Sequence, residues 1–322
     1  MSQVRSLSPP PIAGLAQLVE HRTCNAGVVS SNPTVSTNFE ECMFDCTMIN
    51  DELDLLEIRL HTLDPVVEKF VIVESLKTHS GKPKPLHYID NCQRFQQFWH
   101  KIEHAIYPGY EAYESYQAWG NENSQRDHFL KVLETTRPED GLVFYSDVDE
   151  IPRPEKLLEA KQLFLKDPST PVAFNLNYCL YFMNFAFDVP SRGPVLYNPD
   201  TAKDFHARFG NVHYKPTAIR WHSNAAGFEN DFQNVNDAGW HFSALGGVER
   251  LKQKIASCAH IEFNVDHINN DEHLRKAIEA GEPYFKEFEV LNAVNNKLTK
   301  RDVSFLPTYV QQNLDKFKQY IL

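Results

Sequence analysis

Residues 141–155, GLVFYSDVDEIPRPE, decide how the chain reads. Leu142, Val143, Phe144 and Tyr145 form an apolar run without alternation, as expected of a strand covered on both faces. The run ends in Asp147, Val148, Asp149 and Glu150, and Pro152 and Pro154 then stop the strand, because proline has no N–H to give to a ladder. In open α/β sheets ligands collect at the carboxyl ends of the strands, which is where this tetrad stands. Two carboxylates at i and i+2 can approach one hard cation while Val148 turns back into the protein. Mg2+ or Mn2+ suits such oxygen ligands and leaves positions for water and phosphate. The competing reading of the triplet is a solvated acidic turn.

Outward from this strand the same architecture recurs. After FDCTMI (44–49), Asn50 is placed to cap a helix with Asp51 and Glu52 in its first turn and Leu53, Leu56, Leu60 and Leu63 on one stripe. KFVIVES (69–75) follows as a second buried strand, so the chain opens β-α-β. A helix is expected over 115–135, with Phe129, Leu130 and Leu133 on one face and Arg126 one turn earlier, pointing inward. Another starts near Pro154 with Leu157, Leu158, Phe164 and Leu165 as apolar contacts. Aromatic-rich strands are expected between 172 and 222, and then Gly246 and Gly247 lead into a helix striped by Val248, Leu251, Ile255 and Cys258. This predicts an α/β fold, a mostly parallel Rossmann-like sheet with flanking helices in one large domain over 39–290, and a helical tail over 291–322. Residues 1–38, with Pro9, Pro10 and Pro11 in series, read as a disordered or spurious leader, and LAQLVEHRTCNAGVVSSNPT (15–34) is similar to a translated transfer-RNA gene.

Among 322 residues, 42% hydrophobic and 23% charged describe a folding globular chain, and a net charge of −11 opposes nucleic-acid phosphates or anionic lipid as partners. The six cysteines are scattered and read as buried free thiols rather than a zinc site. No secretory signal or membrane span is read. The nearest stretch, 171–190, carries Asn175, Asn177 and Asn184, each costly in hydrocarbon, so the chain is expected to be soluble or cytoplasmic.

FDCTMINDELDLLEIRLHTLDPVVEKFVIVESLKTHSGKPKPL (44–86), NENSQRDHF (121–129), the 141–155 segment and GWHFSALGGVERLKQK (239–254) together resemble glycosyltransferase family 17, over roughly residues 42–285. The resemblance implies a GT-A-type fold and an inverting transfer of N-acetylglucosamine from UDP-N-acetylglucosamine to a glycan acceptor, such as a β-linked mannose of an N-glycan. It also implies Mn2+ or Mg2+ at Asp147 and Asp149, which match the family's metal motif, with a late histidine, here His241, completing the shell. Glu74 would face the uridine or ribose, and Arg126 and Asp127 would border the nucleotide together with Asp147. The competing readings are a solvated strand end for Glu74, a helix-to-sheet ion pair for Arg126 and a satisfied core histidine for His241. Backbone N–H groups at Gly246 and Gly247, or Lys82 and Lys84, could meet the diphosphate. For the catalytic base the expectation is Asp237, with Glu150 and Glu262 open. Animal members of the family are anchored in the Golgi membrane, and no such span is read here; the Golgi lumen is the expectation if an N-terminal anchor is missing. Two rival classes share the sequence features: a haloacid-dehalogenase-type phosphatase, whose later Thr or Ser and Lys elements are not found, and a glycan-binding protein of the same fold without turnover.

Overall fold

Strand β1 (Met43–Ile49) is buried along its whole length because it has a parallel neighbour on each side, β2 (Lys69–Ser75) and β4 (Leu142–Tyr145). The computed structural model describes residues 42–136, 141–199, 216–225, 227–285 and 298–322. The expected leader, residues 1–38, lies outside them. β3 (Ile102–Tyr107) extends the parallel half beyond β2. Beyond β4 the sheet turns antiparallel through β7 (Phe185–Tyr197) and β6 (Val172–Leu180), then reaches β9 (Gly239–Ser243) and the edge strand β5 (Glu150–Pro152). β8 (Gln233–Val235) and β10 (Thr299–Lys300) join at β6 and β7. The α/β fold class holds, with five parallel and four antiparallel pairings among the described strands.

Helices cover both faces. α1 (Leu53–Leu63) and α4 (Pro154–Lys166) pack Leu56, Leu60, Leu63, Leu157 and Phe164 on one face. On the other, α3 (Phe129–Thr136) and α5 (Pro216–Asn224) contribute Phe129, Leu133 and Ile219. α6 (Gly247–Ser257) and α7 (Asp271–Ala280) pack Leu251, Ile255 and Leu274 on the far end of β6 and β7. Residues 298–322 are built into the same body, with Leu306, Val310 and Phe317 packed against Ile151, Trp240 and Phe242.

Several local expectations change. Glu52, not Asn50, occupies the N-cap position of α1, and its Oε2 accepts the N–H of Asn50 at 2.9 Å and of Asp51 at 3.1 Å. The helix expected over 115–135 is two helices, α2 (Ser115–Asp127) and α3, parted at His128. Leu158 and Leu165 are exposed, because α4 buries only the arc containing Leu157, Ala160 and Phe164. Pro152 does not end the strand region; it lies in β5, where the sheet edge asks nothing of a missing N–H. Cys92 forms a disulfide, against the reading of six free thiols, whereas Cys179 and Cys258 are free.

The strand order 3-2-1-4 reverses direction at β1: the chain runs outward to β3 and returns to place β4 on β1's other side. Crevices at such switch points, beyond the carboxyl ends, are where doubly wound sheets bind ligands.

Candidate functional site

A cavity of about 620 Å³ opens at that switch point, lined by Met48, Ile49 and Asn50 after β1 and by Asp147, Val148 and Asp149 after β4. Its size suits a drug- or nucleotide-sized ligand. Trp119 and Trp221, edge to face at 6.0 Å, with His260, Phe263 and Tyr284, give its outer wall an aromatic character.

The turn carrying the carboxylates is held from beneath. Arg59 of α1 is fully buried and pairs in a fork with Asp45 of β1, its Nε donating at 2.7 Å. The same guanidinium donates to the carbonyl of Asp147 at 2.9 Å, the carbonyl of Glu150 at 2.8 Å and Ser146 Oγ at 2.6 Å. A charge buried this deeply is tolerated only when every donor is used, and here the leftover donors fix the backbone of the acidic turn. From the other side Phe242 N–H of β9 donates to the carbonyl of Asp149 at 2.8 Å, and the antiparallel register sets His241 opposite Glu150.

Asp147 receives two guanidiniums. Arg126 donates Nε at 3.1 Å and Nη2 at 2.8 Å, one to each oxygen, and Arg220 adds Nη2 at 3.0 Å. Burial alone would raise its pKa, but Arg126 and Arg220 hold the carboxyl far below the ordinary aspartate range. Arg126 also pairs with Glu122 at 2.5 Å, and Arg220 clamps Glu150 at 2.7 and 2.8 Å. Asp149 has a different environment: its Oδ2 lies 3.8 Å from His241 Nε2 and 3.4 Å from Lys254 Nζ. Burial would lower the Lys254 pKa, yet Asp149 raises it above the ordinary lysine value. The His241 ring stacks on Tyr178 at 5.0 Å and shares a 2.9 Å hydrogen bond between Nδ1 and Ser191 Oγ, so Nε2 is turned toward Asp149.

Of the residues singled out from sequence, Arg126, Asp147, Asp149 and His241 meet at the cavity. Asp147 has both oxygens engaged by guanidiniums, whereas Asp149 Oδ2 faces His241 Nε2 and is held by the Lys254 ammonium. Glu74 does not face the cavity. It is fully buried, its Oε1 accepts Tyr88 N–H at 3.0 Å, and Lys84 Nζ and His104 Nε2 lie 3.6 and 3.3 Å away. Lys84 lines the cavity but donates to the carbonyl of Asn50 at 3.1 Å, while Lys82 is exposed outside the lining. Asp127 does not border the cavity; its Oδ1 accepts Thr217 N–H at 3.1 Å and Oγ at 2.7 Å and ties α2 to α5. Asp237 is not brought to the site either. It sits at φ 48° before β9 with a 66% exposed side chain, within 3.4 Å of Arg153 Nη2 and accepting from Asn177 at 2.7 Å. Glu262 pairs with His260 at 2.6 Å outside the lining, and Glu150 is buried under Arg220. Gly246 and Gly247 adopt left-handed φ of 98° and 78°, a chain-turning role at the start of α6.

Sequence reading missed Arg59, Arg220, Lys254 and Glu52. For Arg59 a signal existed: one acid inside an all-buried strand and one base on the inward arc of the next helix require each other. Glu52 lines this cavity and also a second one of about 280 Å³, which shares Asn50, Asp149, Lys254 and Ser257 with the first.

The sequence model of glycosyltransferase family 17 matches residues 21–322. The chain belongs to that family. It is 31% identical over 140 residues to the β-1,4-mannosyl-glycoprotein 4-β-N-acetylglucosaminyltransferases of Rattus norvegicus and Homo sapiens, a match covering 41% of this chain and 25% and 26% of those proteins. The matched stretch thus spans about a quarter of the relatives' length. Among solved structures it is similar to the mannosyltransferase of Pyrobaculum calidifontis in complex with GDP-Man and Mn2+, at 10% identity and a TM-score of 0.35, over 67% of this chain and 62% of that one. It is also similar to GalNAc-T7 with UDP, GalNAc and Mn2+, at 8% identity and a TM-score of 0.38, over 78% and 53% of the two chains. Among the described residues of this family member no helix is long and apolar enough to cross a membrane.

Proposed function

We propose that this family 17 member is a metal-dependent, inverting glycosyltransferase that moves N-acetylglucosamine from UDP-N-acetylglucosamine to a glycan, with a β-linked mannose as the acceptor class. The observation that carries the reading is the Asp149–His241 face at the switch-point cavity, with Oδ2 and Nε2 3.8 Å apart. Each donor to a Mg2+ or Mn2+ ion sits about 2.1 Å from the metal, so one ion can bridge such a gap. An ion held by these two side chains would draw its remaining ligands from water and phosphate. An ion there would supply a Lewis acid for the negative charge that develops on a departing diphosphate.

The chain's own groups supply the rest. Arg126 and Arg220 keep Asp147 ionised and fixed, so the turn does not relax when charge moves nearby. The donor takes the larger cavity and the acceptor enters through the smaller, whose walls carry Asp51 paired with Arg250, Asp54 paired with Arg94, and the Tyr320 hydroxyl. Glu52, present in both linings, accepts the proton of the acceptor hydroxyl as its oxygen attacks the anomeric carbon and the bond to phosphate breaks. Asp237 belongs to neither lining. Membership of the family gives the phosphatase reading no support. The test is UDP release from UDP-N-acetylglucosamine with Mn2+ and acceptors ending in β-linked mannose. Glu52→Gln should lower kcat by about 100-fold or more while UDP still protects against unfolding. Phosphate release without UDP release, or undiminished turnover in the variant, would overturn the assignment.

A further inference from the structure

Among the described residues the cation nearest Asp149 is an amine on a flexible stem. Lys254 Nζ stands 3.4 Å from Asp149 Oδ2, the same oxygen that faces His241, and 3.5 Å from Ser243 Oγ. The neighbouring carboxylates are matched by guanidiniums: Asp147 by Arg126 and Arg220, Glu122 by Arg126, Glu150 by Arg220. Those guanidiniums are at most 13% exposed and are locked by two or more hydrogen bonds each, whereas the Lys254 side chain is 37% exposed and lines both cavities. A bare divalent ion approaching Asp149 therefore meets one like charge that can move and two that cannot.

We propose that Lys254 occupies Asp149 in place of a divalent ion and releases it only when a diphosphate arrives, so that metal and nucleotide bind as a pair. This rests on the donor reading above. The anionic diphosphate reverses the sign of the interaction: the ammonium that repels a bare ion is attracted to a phosphate oxygen, leaves Asp149 and opens the oxygen to the metal. Free energy coupling between two ligands is reciprocal, so the nucleotide raises metal affinity by the same factor that the metal raises nucleotide affinity.

The test is titration of the full chain with Mn2+, followed by the electron paramagnetic resonance signal of free Mn2+, with and without UDP. The wild type should bind Mn2+ weakly alone and more tightly with UDP. Lys254→Met should bind Mn2+ alone on the order of tenfold more tightly, the effect of one unit charge at this range in a water-like dielectric, and should lose most of the gain from UDP. Lys254→Gln should behave like Lys254→Met, and Lys254→Arg like the wild type. Equal Mn2+ affinity of wild type and both neutral variants without UDP would overturn the proposal, as would Mn2+ binding that survives Asp149→Asn. The comparison without nucleotide reads Lys254 whatever sugar nucleotide is used, so a chain that fails to turn over UDP-N-acetylglucosamine yet shows the metal effect would refute the donor assignment alone.

Discussion

Replacing Arg59 separates what holds the fold from what shapes the site. Arg59→Met leaves the Asp45 carboxylate in a fully buried strand with its partner gone, and it also removes the guanidinium donors to the carbonyls of Asp147 and Glu150 and to the hydroxyl of Ser146. Breaking one side of a buried pair costs about 3–5 kcal/mol, which for a chain of this size lowers the melting midpoint on the order of 10 °C. Asp45→Leu combined with Arg59→Met removes both charges, and such exchanges are often near neutral. The double variant should therefore melt within a few degrees of the wild type by circular dichroism. Its acidic turn still lacks the guanidinium that fixes two carbonyls, so the rise in midpoint produced by Mn2+ and UDP together should stay well below the wild-type rise. A double variant that regains stability and full protection would refute the positioning role; a single variant that loses less than about 1 kcal/mol would refute the energetic argument about burial.

Two further outcomes follow from the site's construction. Burial pushes the Glu122 carboxyl upward, but Arg126 and His79 bring it down from 4.5 to about 2, so its contribution to stability is present above pH 4.5 and is lost as pH falls toward 2. Asp147 is shifted in the same direction, and the urea midpoint should fall across that window by the equivalent of roughly 3 kcal/mol for Glu122; a flat profile, or an unchanged slope in Glu122→Gln, would count against it. Gly239 has φ 148°, and an added Cβ would lie 2.2 Å from the carbonyl of Ile151 in the facing strand. Gly239→Ala should thus cost about 2 kcal/mol or more, loosen the β5–β9 register that sets His241 beside Asp149, and weaken Mn2+ binding along with the melting midpoint; an unaffected Mn2+ titration would separate the register from the site.

Local pattern carried the first strands, the helices that cover them and the acidic turn, because an uninterrupted apolar run, a 3.6-residue stripe and an i, i+2 pair are properties of neighbours in the chain. The reading was weakest where the sheet turns antiparallel. A three-residue strand such as Glu150–Pro152 owes its existence to the β9 edge it meets and has no period of its own. The sequence also singled out Asp149 and His241, which the fold sets 3.8 Å apart. Partnership was decided by the tertiary structure alone. Arg59 reaches the Asp147 carbonyl across 88 positions, Arg220 its carboxylate across 73, and Lys254 reaches Asp149 across 105. No local rule relates residues that far apart, so whether a carboxylate such as Asp147 is already neutralised, one such as Asp237 lies outside the cleft, or one such as Glu52 stands where two cavities meet follows only from how the elements pack.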